Sequence, residues 1–221
     1  MNDEQALTPE KLLMAYANGY FPMALNKEDP ELYWFSPEER GVLPLETFNI
    51  PRGLKRSMKM RPYRITVDTA FEQVIRACGT LTADRHETWI NEHIVTLYTE
   101  AFTLGHAHSI EVWEQETLVG GLYGISLGGA FFGESMFSRA ADASKMALVH
   151  LVEILREAGY ELLDTQYVND HLLQFGVEAW PKARYMTKLE KALNASPNPS
   201  TRFSTASVRN GAASSSSASS A

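Results

Sequence analysis

Three runs between residues 108 and 137 constrain the fold more than any other stretch: HSIEVWE (108–114), TLVGGLYGISL (117–127) and AFFGESMF (130–137). The gaps between them are short, and gaps that short admit hairpins, so the three strands form a meander. The segment DASKMALVHLVEILREA (142–158) follows at helical period. Met146, Val149, Leu151, Val152 and Leu155 supply its buried face, Asp142 or Ser144 its cap, and Gly159 its stop. ELLDTQYV (161–168) is a further strand. A strand, a helix and a strand in series form a right-handed crossover, which brings 130–137 and 161–168 close in one sheet.

Other elements extend this unit. Tyr63, Ile65 and Val67 alternate with polar residues and predict a strand over 63–67. TAFEQVIRACG (69–79) and NEHIVTLYTEAFTL (91–104) have helical spacing, a short helix begins near Asn169, and a last helix covers 182–193. The order over 63–195 is β-α-α-β-β-β-α-β-α-α, which implies an α+β mixed sheet flanked by helices. Upstream, a helix over 8–18 is capped by Thr8, with Pro9 in its first turn. GYFPM (19–23) and YWFSPEERGVLPLE (33–46) have little periodicity and read as loops and short strands. The expected division is a small N-terminal domain over 1–60, a main domain over 61–195 and a disordered tail over 196–221, which holds ten serines and no acid.

Composition narrows the function. At 44% apolar and 21% charged residues, 221 residues can bury a substantial core. The single cysteine, Cys78, can form no intrachain bridge and belongs to no cysteine metal set, which predicts a reducing compartment. MNDEQALTPE is acidic and polar, unlike a secretory or transit segment, and no apolar run approaches the roughly 18 residues of a membrane span. A net charge of −7 argues against nucleic-acid binding unless the bases are segregated. They are partly so: residues 1–50 hold nine acids against three bases, whereas PRGLKRSMKMRPYR (51–64) holds Arg52, Lys55, Arg56, Lys59, Arg61 and Arg64 and no acid. Such a stripe binds phosphates or is an ordinary solvated face.

Several residues could carry chemistry. Asp164 and Gln166 stand two apart on a strand and share a face, opposite Leu163, Thr165 and Tyr167. An acid and an amide on a buried strand need partners; they are either functional or a satisfied structural pair. Glu134, among Phe131, Phe132, Met136 and Phe137, is either solvated at a strand end or buried against a cation. His106 and His108 lack an evident third ligand and read as structural. GGLYG (120–124) lacks the spacing of a dinucleotide loop and reads as strand glycines at a bulge or a close backbone approach. Ser135 and Ser138 lack the setting of a hydrolase nucleophile. Trp89 could stack on a base or plug the domain edge.

Taken together, GYFPM (19–23), YWFSPEERGVLPLE (33–46), TWI (88–90), GHAHSIEVW (105–113), LVGGLYGISLGGAFFGESMFSR (118–139), DASKMAL (142–148) and LLDTQYVNDHL (162–172) resemble the bacterial leucyl/phenylalanyl-tRNA–protein transferases, in order over about residues 8–193. The resemblance implies a GCN5-related N-acetyltransferase-like main domain with a small N-terminal domain packed on it. It implies transfer of Leu or Phe, less well Met, from aminoacyl-tRNA to the N-terminal Arg or Lys of proteins, marking them for N-degron degradation. By the same resemblance Asp164 and Gln166 match the catalytic pair and Glu134 the essential glutamate. Leu122, Phe131, Met136, Leu151 and Leu155 match the aminoacyl pocket. Trp89 matches the tryptophan that contacts the terminal adenosine, and a second family tryptophan there falls at Met23.

Such a reaction needs neither metal nor cofactor, because the ester is already activated. An α-amine has a pKa of about 7.7–8.0, so orientation and modest proton removal suffice. The expected roles are Gln166 orienting the amine, Asp164 polarising Gln166 or taking a proton through water, and Glu134 pairing with the basic side chain of the acceptor. Lys55, Arg56, Lys59 and Arg61 are the expected tRNA phosphate contacts. A monomer in the cytoplasm, without membrane contact, is expected. Two rivals remain open at this point. A coenzyme-A-dependent acyltransferase would carry glycines where SRAADASK (138–145) stands, and an adaptor for N-terminal residues would bind peptide without forming a bond.

Overall fold

The computed structural model describes residues 7–82, 86–198 and 203. The chain begins with α1 (Pro9–Ala17), β1 (Phe21–Met23), β2 (Tyr33–Phe35), β3 (Glu39–Val42) and α2 (Arg52–Met60). It continues with β4 (Arg64–Val67), α3 (Phe71–Cys78), α4 (Glu92–Thr103), β5 (Ala107–Glu114), β6 (Thr117–Leu127) and β7 (Ala130–Ser138). Then come α5 (Ala143–Ala158), β8 (Leu162–Gln166), α6 (Asp170–Leu173), β9 (Glu178–Pro181) and α7 (Lys182–Leu193). The predicted meander is β5–β6–β7, and the predicted crossover sets β7 and β8 side by side in parallel.

Seven strands form one mixed sheet in the order β4-β5-β6-β7-β8-β3-β9, with β7–β8 its parallel pair and antiparallel ladders elsewhere. Both faces are covered. One apolar cluster joins Leu12 and Tyr16 of α1, Val74 of α3, Ile94 and Tyr98 of α4 and Leu189 of α7 to Phe132 and Phe137 of β7. The other joins Met146, Leu151 and Leu155 of α5 and Leu54 of α2 to Ile110, Leu122, Phe131 and Leu163.

Two features depart from the sequence reading, and a third takes one of the forms it left open. β3 lies inside the main sheet, antiparallel to β8 on one side and β9 on the other, so residues 1–60 do not form a unit apart from it. The segment 33–46 reads as loops and short strands, and ERGV is a strand through its partners on both sides. Gly41 is required there, because a Cβ would stand 2.5 Å from the carbonyl carbon of Tyr167. The basic stripe is largely the amphipathic helix α2, with Leu54 buried and Arg52, Lys55, Arg56 and Lys59 exposed. The tail expected to be disordered is placed in part: Asn198 N–H donates to Ala158 O at 2.9 Å, and the Phe203 ring stacks on His108 at 4.0 Å between centroids. The rest of that tail, 199–202 and 204–221, lies outside the described residues.

The cap of α5 also differs. Asp142 makes no side-chain capping bond and takes φ 62°; Ser138 Oγ accepts from Ser144 N–H at 3.3 Å instead. The end of β7 thus holds the start of α5 and fixes the geometry between them.

Phe132, fully buried, packs its ring 4.7 Å from that of Tyr16 at a 47° tilt and ties β7 to α1. Phe132→Ala is expected to cost about 3–5 kcal/mol in urea unfolding through loss of transfer energy and the cavity left behind.

Candidate active site

The β7–β8 ladder is short: Ala130, Phe131 and Phe132 pair with Leu162, Leu163 and Asp164. Beyond it β7 runs on to Ser138 and β8 to Gln166 without pairing to each other, so the sheet opens. Just past the last pair the β6–β7 register shifts, with Tyr123 opposite Ser135 but Gly124 opposite Gly133, which leaves Glu134 as the extra residue of a bulge. Gly124 has no room for a Cβ against Phe132 O, as the glycine-rich run predicts.

The bulge has a chemical consequence. In a regular strand Glu134 and Met136 would share a face. Here Phe132 and Phe137 pack into the cluster of α1 and α4, while Met136 packs against that of α5. Glu134 reaches toward the first and Met136 toward the second.

A cavity of about 520 Å³ occupies the opening on the α5 side. Its apolar wall includes Leu122, Met136, Leu148, Leu151, Leu163 and Leu172, and its polar residues include Glu134, Ser138, Ser144, Thr165, Asn169 and His171. Of the five residues matched to an aminoacyl pocket, Leu122, Met136 and Leu151 line it, whereas Phe131 and Leu155 are buried outside its lining. Thr165 Oγ1 and His171 Nε2, which the sequence reading passed over, are buried and meet no hydrogen-bond partner among the described residues. Burial, and then Lys145, push the His171 imidazole below its usual pKa.

Asp164 and Gln166 share the opposite face, as their spacing predicts, and lie outside the cavity lining. The Asp164 carboxylate is fully buried and saturated. It accepts from Arg40 Nε (2.9 and 3.0 Å) and Nη2 (2.7 Å), Tyr185 Oη (2.7 Å) and the Gln166 backbone N–H (2.7 Å). Arg40 is itself buried, donates to Gly19 O at 3.0 Å and lies between the rings of Phe21 and Tyr185. Burial pushes the Tyr185 hydroxyl pKa up, and Asp164 pushes it further, so it stays a donor. Sequence reasoning missed Arg40 because a charged residue in a turn-like segment gives no sign of burial.

Gln166 takes φ 63°, the left-handed region, and the bond from its N–H to Asp164 supports that strained position. Its Nε2 donates to Glu134 Oε1 at 2.9 Å, joining the two strand ends across the opening. Glu134 also accepts from Tyr16 Oη at 2.5 Å and Tyr98 Oη at 3.2 Å. Burial pushes its carboxyl pKa up to about 7, although the bonds from Tyr16, Gln166 and Tyr98 pull it down. Glu134 is thus a residue of the cavity lining whose carboxylate is bonded on the polar face.

Residues 42–190 match the family model described as leucyl/phenylalanyl-tRNA protein transferase, and residues 5–38 match that of its N-terminal domain. The chain belongs to the leucyl/phenylalanyl-tRNA protein transferase family. A relative of that name in Paramagnetospirillum magneticum is 57% identical over 187 residues, covering 85% of this chain and 90% of the relative. Another, in Afipia carboxidovorans, is 52% identical, covering 85% of this chain and 82% of its own length. Among solved structures, L-PGS from Bacillus licheniformis aligns with TM-score 0.40 at 14% identity, over 74% of this chain and 55% of that one, too distant a likeness to bear on the site. The two family models divide the chain near residue 40, where β3 enters the sheet, rather than at 60.

Two other matched positions lie apart from the cavity lining. Trp89 and Met23 are half-buried and pack against the cluster of α1, α3 and α4. Helix α2 lies beside the turn into α5: the Tyr63 hydroxyl donates to Ala141 O at 3.4 Å, and Asp142 is held by Lys145 and Ser57. Arg61 Nε donates to Ser57 Oγ at 3.2 Å, whereas Arg52, Lys55, Arg56 and Lys59 make no ion pair among the described residues.

Arg40→Met removes one partner of a buried ion pair and strands Asp164. It is expected to cost about 3–5 kcal/mol in urea unfolding. A loss no larger than that of a surface substitution would show that Asp164 finds other compensation.

Proposed function

We propose that the protein moves Leu or Phe, and less well Met, from aminoacyl-tRNA to the N-terminal Arg or Lys of acceptor proteins and so marks them for N-degron degradation. The observation that carries this reading is the leucine- and methionine-lined cavity where β7 and β8 part, with Glu134 among its lining residues. An unbranched or γ-branched apolar side chain fits such a wall, and size discrimination there is worth about 1–3 kcal/mol per methylene. Phe131 and Leu155 back the wall rather than form it.

The polar face supplies orientation. The Gln166 amide nitrogen is spent on Glu134, which leaves its carbonyl oxygen to accept from an incoming α-amine. Asp164 acts through the backbone of Gln166, with every visible bond of its carboxylate directed to Arg40, Tyr185 or that N–H. It is a positioning residue in this reading. Holding amine and ester together supplies about 7–11 kcal/mol of barrier reduction, enough for an activated ester without metal or cofactor.

The donor tRNA is held through its phosphates by Lys55, Arg56, Lys59 and Arg61, with Trp89 and Met23 near its terminal adenosine. The exposed bases of α2, beside the start of α5 that lines the cavity, support this arrangement. The protein works as a monomer in the cytoplasm, where charged tRNA is present. The sheet with its opened parallel pair supports the acetyltransferase-like reading of the main domain.

Incubation with labelled Phe-tRNA and a protein beginning with Arg is expected to give labelled protein; no transfer overturns the reading. Lys55→Glu with Arg56→Glu is expected to raise the KM for Phe-tRNA and to flatten the salt dependence of binding by about one unit of slope for each phosphate left unneutralised. An unchanged salt slope would remove the stripe from the tRNA site.

A further inference from the structure

Phe203 is the one aromatic residue of the serine-rich stretch 196–221, and the fold gives it a seat. The chain leaves α7, buries Pro197 and donates from Asn198 N–H to Ala158 O at the end of α5. The Phe203 ring packs with the cluster on the α5 side of the sheet, beside the starts of β5 and β7 and so at the end away from the strand opening. It stacks on His108 of β5 with centroids 4.0 Å apart at 13°, faces Phe131 of β7 at 5.4 Å and 29°, and meets Tyr160 edge-on at 6.4 Å. His108 Nδ1 pairs with Asp68 Oδ2 at 2.7 Å, and Tyr160 Oη with Ser126 Oγ at 2.7 Å, so two walls of the seat are held by bonds that Phe203 does not make. His108 stands opposite Gly124 in the ladder, and the Phe131 ring fills the space a Cβ at Gly124 would take.

Phe131 is also a residue behind the cavity. It is fully buried in the cluster that holds Leu122, Leu151 and Leu163, three residues of the cavity lining, and it pairs with Leu163 across the β7–β8 ladder. An interior packed this closely passes a displacement on, because it has no slack to absorb it. We propose that Phe203 is a positioning residue of the aminoacyl cavity. Seated against Phe131, it keeps that ring against the leucines and so sets the depth of the wall that selects the donor side chain. The proposal rests on the transfer reaction above and adds to it a specificity determinant supplied by the tail.

The direction of the effect follows from which side of Phe131 is emptied. Phe203→Ala leaves a gap on the side that Phe203 fills, the ring relaxes into it, and the wall in front recedes. The hollow deepens, and the larger donor gains over the smaller. Phe203→Trp overfills the seat, presses Phe131 toward Leu122 and Leu163, and favours the smaller donor. Phe203→Leu keeps an apolar contact and stays near the wild-type preference. A whole methylene of room changes selection about 10-fold or more in an apolar pocket, and a wall moved by part of that distance changes it about threefold.

The test reads donor selection in full-length variants. For Phe203→Ala the ratio of kcat/KM for Phe-tRNA to that for Leu-tRNA is expected to rise about threefold, carried mostly by the two KM values, and for Phe203→Trp to fall by a similar factor. In a Phe131→Leu background the same substitutions are expected to leave the ratio unmoved, since the ring that relays them is gone. The seat has its own readout: the His108 ring protons are expected to shift in NMR spectra of Phe203→Ala, through loss of the ring stacked on them. A merely structural Phe203 would lower stability and weaken both donors alike. An unchanged ratio in the Ala and Trp variants, an equal loss for both donors, or an effect that persists in Phe131→Leu therefore overturns the positioning role, and unmoved His108 resonances overturn the seat itself. Those results would leave the transfer reaction standing. A wild-type protein that transfers nothing overturns the reaction and the role of Phe203 in it, while the His108 shift still reports the seat.

Discussion

The polar face of the site is tied to one buried ion pair. Arg40 and Asp164 lie on adjacent strands of the main sheet, both out of water, and removing two charges from solvent is costly unless geometry and further bonds compensate. Here they do. The guanidinium grips both carboxylate oxygens, bonds Gly19 O beyond α1 and stacks between Phe21 and Tyr185, while Tyr185 and the Gln166 N–H complete the carboxylate. One charge pair thereby joins the N-terminal segment, β3, the end of β8 and α7. Few of those groups could shift singly without stranding a buried charge.

From that pair the order of causes runs toward the cavity. Asp164 holds the backbone of Gln166 in its strained conformation, Gln166 reaches across to Glu134, and Glu134 is steadied by Tyr16 and Tyr98. The short parallel ladder makes the space, since two strands that stop pairing must diverge or be filled. The bulge at Glu134 then divides one strand between two chemistries, with a carboxylate toward the polar side and Met136 toward the leucines. An apolar hollow beside a desolvated carboxylate is an arrangement that few purely structural cores contain, because it weakens packing and raises the carboxyl pKa together.

Much of this was legible in the residues. Strong periodicity placed β5, β6, β7, α5 and α7 close to their observed bounds, because each buries a face whose spacing is visible locally. The shared face of Asp164 and Gln166 followed from alternation along β8, and the strand glycines at the bulge from the run GGLYG. Other features were not legible. β3 and β9 are short, with Arg40 and Gly41 in one and Glu178 and Pro181 in the other, and their strand character comes from partners distant in sequence. Arg40 gave no signal at all, since burial of a cation depends on an anion 124 residues away.

The sequence by itself determined the elements of the main sheet, the family and the set of polar residues worth watching, because local period and motif are properties of neighbouring residues. Only the tertiary structure decided what those residues face. It left Asp164 outside the cavity lining and put Glu134 among the lining residues, although both were read as carboxylates in apolar strands. The reason is that a side chain's protonation and reach depend on what lies across the gap between strands. That gap is set by where pairing stops and where a bulge turns the chain, and neither is encoded in the spacing of the residues that flank it.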